Sequence, residues 1–220
     1  MPGICSPVCS GSVPEPSQSS YANNPPPLIG NSLCLDLVNT VDWRGRPGNT
    51  DGLTSYEELV YWSLQAGALG KTESRRLVAE ARRHLKQAAR VLEVARALRE
   101  AIARVFEQSR QRQSGDLAWL NQMLRRAPAR AAIVARGNEY HWANEEKAFL
   151  LERPLWPVLW DAADLLTSDR REWVRNCGDP ECGWMFLDSS RNATRRWCSM
   201  ERCGNRAKAR RHYRRHKKKG

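Results

Sequence analysis

Cys177-Gly178-Asp179-Pro180-Glu181-Cys182 and Cys198-Ser199-Met200-Glu201-Arg202-Cys203 are two C-x4-C pairs separated by fifteen residues. The chain continues as Gly204-Asn205-Arg206-Ala207-Lys208-Ala209-Arg210-Arg211-His212-Tyr213-Arg214-Arg215-His216. Four thiols at paired spacing supply the soft donors of a tetrahedral zinc site, and four thiolates leave no open position for catalysis. The expected ion is one structural Zn2+ on Cys177, Cys182, Cys198 and Cys203, and the unit should need it to fold. Iron–sulfur clusters also use four cysteines; the small, basic, aromatic-stiffened surroundings favour zinc.

Gly178 to Glu181 is turn-forming, so the first pair reads as a knuckle. Trp184–Leu187 and Arg195–Trp197 are expected to be two strands joined over Asp188–Thr194. Ser199 is the expected cap of the following helix, and Glu201 suits its positive end. A knuckle, a hairpin and a helix carrying the last ligand make a treble-clef-like zinc finger.

The formal net charge is +12, and it is unevenly placed. Residues 170–220 hold 16 Lys/Arg and 5 Asp/Glu, net +11, leaving residues 1–169 nearly neutral. A neutral body with a basic module points to nucleic acid or another polyanion. At helical spacing, Cys203 and Ala207 face the metal. Asn205, Lys208, Arg211, His212 and Arg215 fall on the far side, and Arg206, Arg210 and Arg214 form a flanking stripe. Arginine at every turn neutralises phosphates and releases counterions, while asparagine and arginine can also read base edges. The candidate nucleic-acid contacts are Arg195, Arg196, Asn205, Arg206, Lys208, Arg210, Arg211, Arg214 and Arg215, with phosphate contact expected more often than base readout at any one of them. Lys217–Lys219 read as a frayed basic tail, residues 217–220.

Working toward the N-terminus, Pro154–Thr167 reads as a helix with Leu155, Leu159, Ala162 and Leu166 inward. Ala131–Ala135 and Glu139–Ala143 flank Arg136-Gly137-Asn138 as a hairpin. Asp116 should cap a helix to about Arg126. Thr72 opens a stretch with neither Pro nor Gly before Gly115, too long for one ordinary helix, so a break near His84 is expected. Ser55 with Glu58 is a capping box for a helix ending near Gly67. Leu33, Leu37 and Val41 suit a short buried helix after Ser32, although the alternation Leu33/Leu35/Leu37 would also suit a strand. Residues 1–27, with seven Pro and six Ser, are expected to be a leader without order, and Cys5 and Cys9 within it incidental thiols. The expected fold is α+β: a helix-rich N-terminal body with a small sheet over 28–168, then the finger over 170–216.

No secretory signal and no apolar run of membrane-spanning length is visible, so the expected location is cytoplasmic, at the nucleoid. Reduced thiols there favour metal over disulfides. His84, His141, His212 and His216 stand at no ligand spacing. Ser-His-Asp, Walker and Rossmann patterns are absent, and no enzyme is expected. Asp36, Asn39 and Asp42, three residues apart beside Trp43, are a candidate small-molecule pocket or, three times more often, the polar side of a short helix.

Cys182-Gly183-Trp184-Met185-Phe186-Leu187-Asp188, Arg195-Arg196-Trp197-Cys198-Ser199-Met200 and Cys203-Gly204-Asn205-Arg206 resemble the CGNR zinc finger. Upstream, Leu33-Cys34-Leu35-Asp36-Leu37-Val38-Asn39-Thr40 and Pro154-Leu155-Trp156-Pro157 resemble its usual companion, the ABATE domain. The resemblance covers about residues 28–216. It implies a bacterial stress-induced transcription regulator with a treble-clef DNA-binding finger. The expectation built on it is that the basic helix docks on double-stranded DNA while the body senses a small-molecule effector or forms a homodimer. Two alternatives stand beside it. One is RNA binding by the same surface, favoured if Trp184 and Trp197 are exposed. The other is an enzyme in the body, favoured by a deep pocket holding Asp36, Asn39 and Asp42.

Overall fold

The computed structural model describes residues 21, 25–44, 46–107, 114–137, 139–144 and 150–217. The bulk of the expected leader with Cys5 and Cys9, the turn residue Asn138, the side chain of His141 and the tail beyond Lys217 lie outside the described residues. Tyr21, inside the leader expected to lack order, is buried, and its amide donates to Glu58 Oε2 at 3.0 Å.

The elements run α1 (Leu33–Val38), β1 (Val41–Asp42), β2 (Thr50–Asp51), α2 (Tyr56–Gln65), α3 (Lys71–Arg83), α4 (Leu85–Phe106), α5 (Ser114–Arg126), β3 (Arg130–Arg136), β4 (Glu139–Asn144), α6 (Leu155–Thr167), β5 (Val174–Asn176), β6 (Met185–Leu187) and α7 (Asn205–Lys217). The expected α+β class holds. Among the described residues the strands make three separate antiparallel pairs, β1–β2, β3–β4 and β5–β6, where a single small sheet was expected. β1, β2, β5 and β6, of two or three residues each, offer too few ladder bonds to recruit a third partner.

Local signals place the helices. Ser55 Oγ accepts from Glu58 N at 3.2 Å and opens α2. The break falls at His84, whose φ of −128° and ψ of 53° separate α3 from α4. Helix α3 begins at Lys71 after Gly70, ahead of the Thr72 cap expected from the sequence. Arg104 grips both oxygens of Asp116 at 2.9 and 2.7 Å, tying α4 to the first turn of α5.

The six residues of α1 resolve as helix, and all but Leu33 are buried. A helix this short is not stable alone; packing between α4 and α6 holds it. Ser32 sits at its N-terminus without capping it. Asp161 of α6 does so instead, accepting from Cys34 N at 2.8 Å and from Ser32 Oγ at 2.5 Å. Hairpin β3–β4 is fastened to α6 by Arg130, which forks onto Asp164 at 2.7 and 2.8 Å and lies 5.4 and 5.7 Å from the Trp142 and Trp160 rings.

Strand β6 serves two cores. Successive side chains of a strand face opposite sides. Met185 and Leu187 enter the core of the helical body, while Trp184 and Phe186 pack with Cys182, Cys198 and Cys203. One strand thus stiffens both the body and the finger.

Candidate metal centre and nucleic-acid interface

The four sulfurs lie within 4.8 Å of one another. A tetrahedron with Zn–S bonds of about 2.3 Å has S···S edges of about 3.8 Å, and Cys182–Cys198 and Cys198–Cys203 stand at 3.5 Å. Cys182, Cys198 and Cys203 are buried and Cys177 is partly so. Cys182 sits on the first knuckle, closed by Cys182 N donating to Asp179 O at 3.0 Å. Cys203 sits in a wide turn over Met200–Gly204, where both Cys203 N and Gly204 N reach Ser199 O. Ser199 caps that turn as expected, its Oγ accepting from Arg202 N at 3.3 Å. Thiols this crowded oppose one another: Cys177 and Cys182, with burial added, push the Cys198 thiol far up. A divalent cation removes that conflict by taking all four as thiolates. The donor set fits one zinc ion.

The second half of the finger departs from the expected hairpin. Trp184–Leu187 was expected to pair with Arg195–Trp197, but β6 pairs with β5, and residues 195–197 form no strand. Gly178 N takes Arg196 O at 2.8 Å. Asp188, fully buried, accepts from Ser190 N, Ser190 Oγ and Arg195 N at 2.6–3.0 Å. Side-chain bonds thus hold a segment that a ladder was expected to hold.

The body supplies the other braces. Asn39 Nδ2 donates to Met185 O and Asn39 Oδ1 accepts from Met185 N, both at 2.8 Å, so one amide stands in for a neighbouring strand. Leu187 N donates to Gly30 O at 2.8 Å, Asn31 Nδ2 to Leu187 O at 3.0 Å, and Trp184 Nε1 to Val41 O at 3.0 Å. At Gly183, with φ of +72°, a Cβ would stand 2.8 Å from Arg44 Cβ; only glycine permits the turn and the close approach.

The residues expected to share a small-molecule pocket serve different ends. Asn39 is spent on β6. Asp36 Oδ1 accepts from Gly30 N at 2.7 Å, supporting the loop that grips Leu187. Asp42 and Trp43 line a cavity of about 20 Å3 beside Cys182, Trp184 and Arg202, room for one water. Burial pushes the Asp36 carboxyl up to about 6. Between about pH 4 and 6 the unfolded chain therefore loses this proton while the folded chain keeps it, and stability falls as pH rises. Asp36→Asn should remove that decline. Urea titrations of both chains at pH 4 and pH 7 should show the variant gaining on the order of 2 kcal/mol relative to wild type at the higher pH. Metal loss at low pH cancels in the difference, and an equal difference at both pH values would refute the assignment.

The nine candidate nucleic-acid residues fall into two groups. Arg195 points inward: its guanidinium lies 4.3 Å from the Phe186 ring, and it donates to Trp197 O at 3.1 Å, Ile29 O at 3.2 Å and Cys198 O. Arg206 donates to Asp179 at 2.8 Å and to Cys203 Sγ at 3.1 Å. Arg210 joins Asp179 at 2.5 Å and Glu181 at 3.0 Å. Burial alone would raise the Asp179 carboxyl, but the Glu181 amide and the two guanidiniums hold it below the usual range. The sequence carries a signal for this clamp that the charge count hides: Arg206 and Arg210 are one turn apart on the stripe beside the ligand face. Asn205 Nδ2 donates to Glu201 O at 3.0 Å, extending the helix start. Arg196, Lys208, Arg211, Arg214 and Arg215 are exposed and make no ion pair among the described residues. Trp184 is 3% exposed, which removes it as a stacking platform; Trp197 is partly exposed.

A helical body sharing a strand with a four-cysteine centre and a basic helix defines a zinc-finger protein. Two family models match the chain in succession: ABATE, described as "Putative stress-induced transcription regulator", over residues 31–169, and the CGNR zinc finger over residues 173–216. The chain belongs to the ABATE family and carries a CGNR zinc finger. No curated protein matches it. Among the described residues no helix is long and apolar enough to cross a membrane.

Proposed function

We propose that this protein is a DNA-binding transcription regulator of the bacterial cytoplasm, acting at the nucleoid in a stress response. The observation that carries this reading is the set of free cations on α7: Lys208, Arg211, Arg214 and Arg215 stand exposed without carboxylate partners while Arg206 and Arg210 lock the same helix to the metal site. Two of the helix's cations fasten it, and these four are left for phosphate. The body, over 28–168, is the part that takes a small-molecule effector or a second copy of the chain. Its grip on β6 gives either event a route to the finger. The use of Asp36 and Asn39 as internal braces takes away the residues that favoured an enzyme.

Fluorescence anisotropy of the zinc-loaded protein on a short duplex, titrated across salt, tests this. Each phosphate contacted contributes about −0.9 to the slope of log K against log salt, so four engaged side chains give roughly −3.6. Arg211→Ala, Arg214→Ala and Arg215→Ala should each make the slope shallower by about 1. Affinity for duplex that does not fall with salt would overturn the proposal.

A further inference from the structure

A groove of about 550 Å3 lies between the first knuckle and α7. Its lining includes Pro180, Trp197 and Ala207, and Arg196, Arg211, Arg214, Arg215 and Lys217 surround them. None of those five cations makes an ion pair among the described residues. Arg210 forms part of the wall and is held there by Asp179 and Glu181. The knuckle closes on Arg196 because Gly178 has no side chain: a Cβ there would stand 2.9 Å from Arg196 Cγ. Arg196 in turn lies 5.2 Å from the Trp197 ring.

We infer that this groove binds a single nucleotide, its base stacked against Arg196 and Trp197 and its phosphate held by Arg211, Arg214 and Arg215. The backbone of a paired duplex needs only a row of exposed cations, which Lys208, Arg211, Arg214 and Arg215 supply by themselves. A concave site that adds an indole, a proline and an alanine to those cations also suits a planar ring. Guanidinium planes and aromatic faces are what unstacked bases stack on, and the volume is that of a small-ligand site. The nucleotide is either free in solution or an unpaired residue of a bound strand; both present the same base and phosphate. The inference shares cations with the duplex-binding proposal but adds a base-binding function that the proposal does not need.

Anisotropy of the full-length zinc-loaded protein tests it with four probes: a paired duplex, the same duplex with one extrahelical nucleotide, that duplex with an abasic residue at the bulge, and a fluorescent nucleoside triphosphate competed by inorganic triphosphate. Stacking of one base predicts about tenfold tighter binding to the bulged duplex than to the paired or abasic one, or nucleoside triphosphate binding that inorganic triphosphate displaces poorly. The first result assigns an unpaired residue and the second a free nucleotide. Ala207→Trp, which fills the groove floor, should abolish either gain and leave paired-duplex affinity within about twofold; Ala207→Leu serves if the larger side chain prevents folding. Paired-duplex binding with no gain from the extrahelical base and no nucleoside triphosphate binding would overturn this inference and leave the duplex proposal standing. A gain that survives both Ala207 variants, or equal competition by inorganic triphosphate, would also overturn it. Nucleoside triphosphate binding without duplex binding would support the groove and sink the duplex proposal.

Discussion

Chelation of the metal, or Cys198→Ser, should unfold residues 173–217 and weaken the helical body as well. Structural zinc contributes about 10–16 kcal/mol of apparent binding free energy to zinc-finger peptides at neutral pH, and that energy is folding energy. Without the ion, four crowded thiols must share their protons, and the Cys198 sulfur lies within 4.8 Å of the other three. The loss spreads because β6 is common to both cores. When Trp184 and Phe186 lose their packing, Met185 and Leu187 lose the strand that points them into the body. The expected result is one zinc per chain by elemental analysis, collapse of the near-ultraviolet circular dichroism signal on chelation, and a lower melting temperature for the helical signal. Protein purified without metal that keeps its near-ultraviolet signal would refute this account.

Asn39→Ala should be the most damaging single substitution outside the cysteines among the braces. Asn39 is 3% exposed, and both halves of its amide are bonded to Met185. Alanine leaves a buried N–H and a buried C=O without partners, at about 1–3 kcal/mol each. The expected cost is about 2–5 kcal/mol in urea unfolding. Asn39→Asp should recover little, since a carboxylate cannot donate to Met185 O. The substitution removes none of the exposed cations of α7, so duplex binding of the surviving folded fraction should keep its salt slope. An unchanged unfolding midpoint for Asn39→Ala would show that β6 does not depend on the body.

These two expectations mark where sequence reasoning reached and where it stopped. The cysteine spacing, the Ser55 and Ser199 caps and the break at His84 are local. Each depends on residues within about a turn of one another, and each is present in the structure. The partner of β6 is not local. Residues 195–197 were the expected partner, and residues 174–176 take that place in a strand that Asn39 and Gly30 hold from the body. Asp36 and Asn39 read as a polar cluster because their spacing is visible; that Asn39 bonds Met185, 146 positions away, while Asp36 braces the Gly30 loop is not.

The basic helix shows the same division. Its charge, length and attachment to the last cysteine were determined by the sequence alone, because composition and helical periodicity are properties of neighbouring residues. Which arginines face outward was decided only by tertiary structure. The buried Asp179 carboxylate captures Arg206 and Arg210, and the carbonyls of Ile29, Trp197 and Cys198 capture Arg195. A cation in a sequence is simply a charge. Whether it binds phosphate or secures the fold depends on which acceptor the folded chain brings within reach.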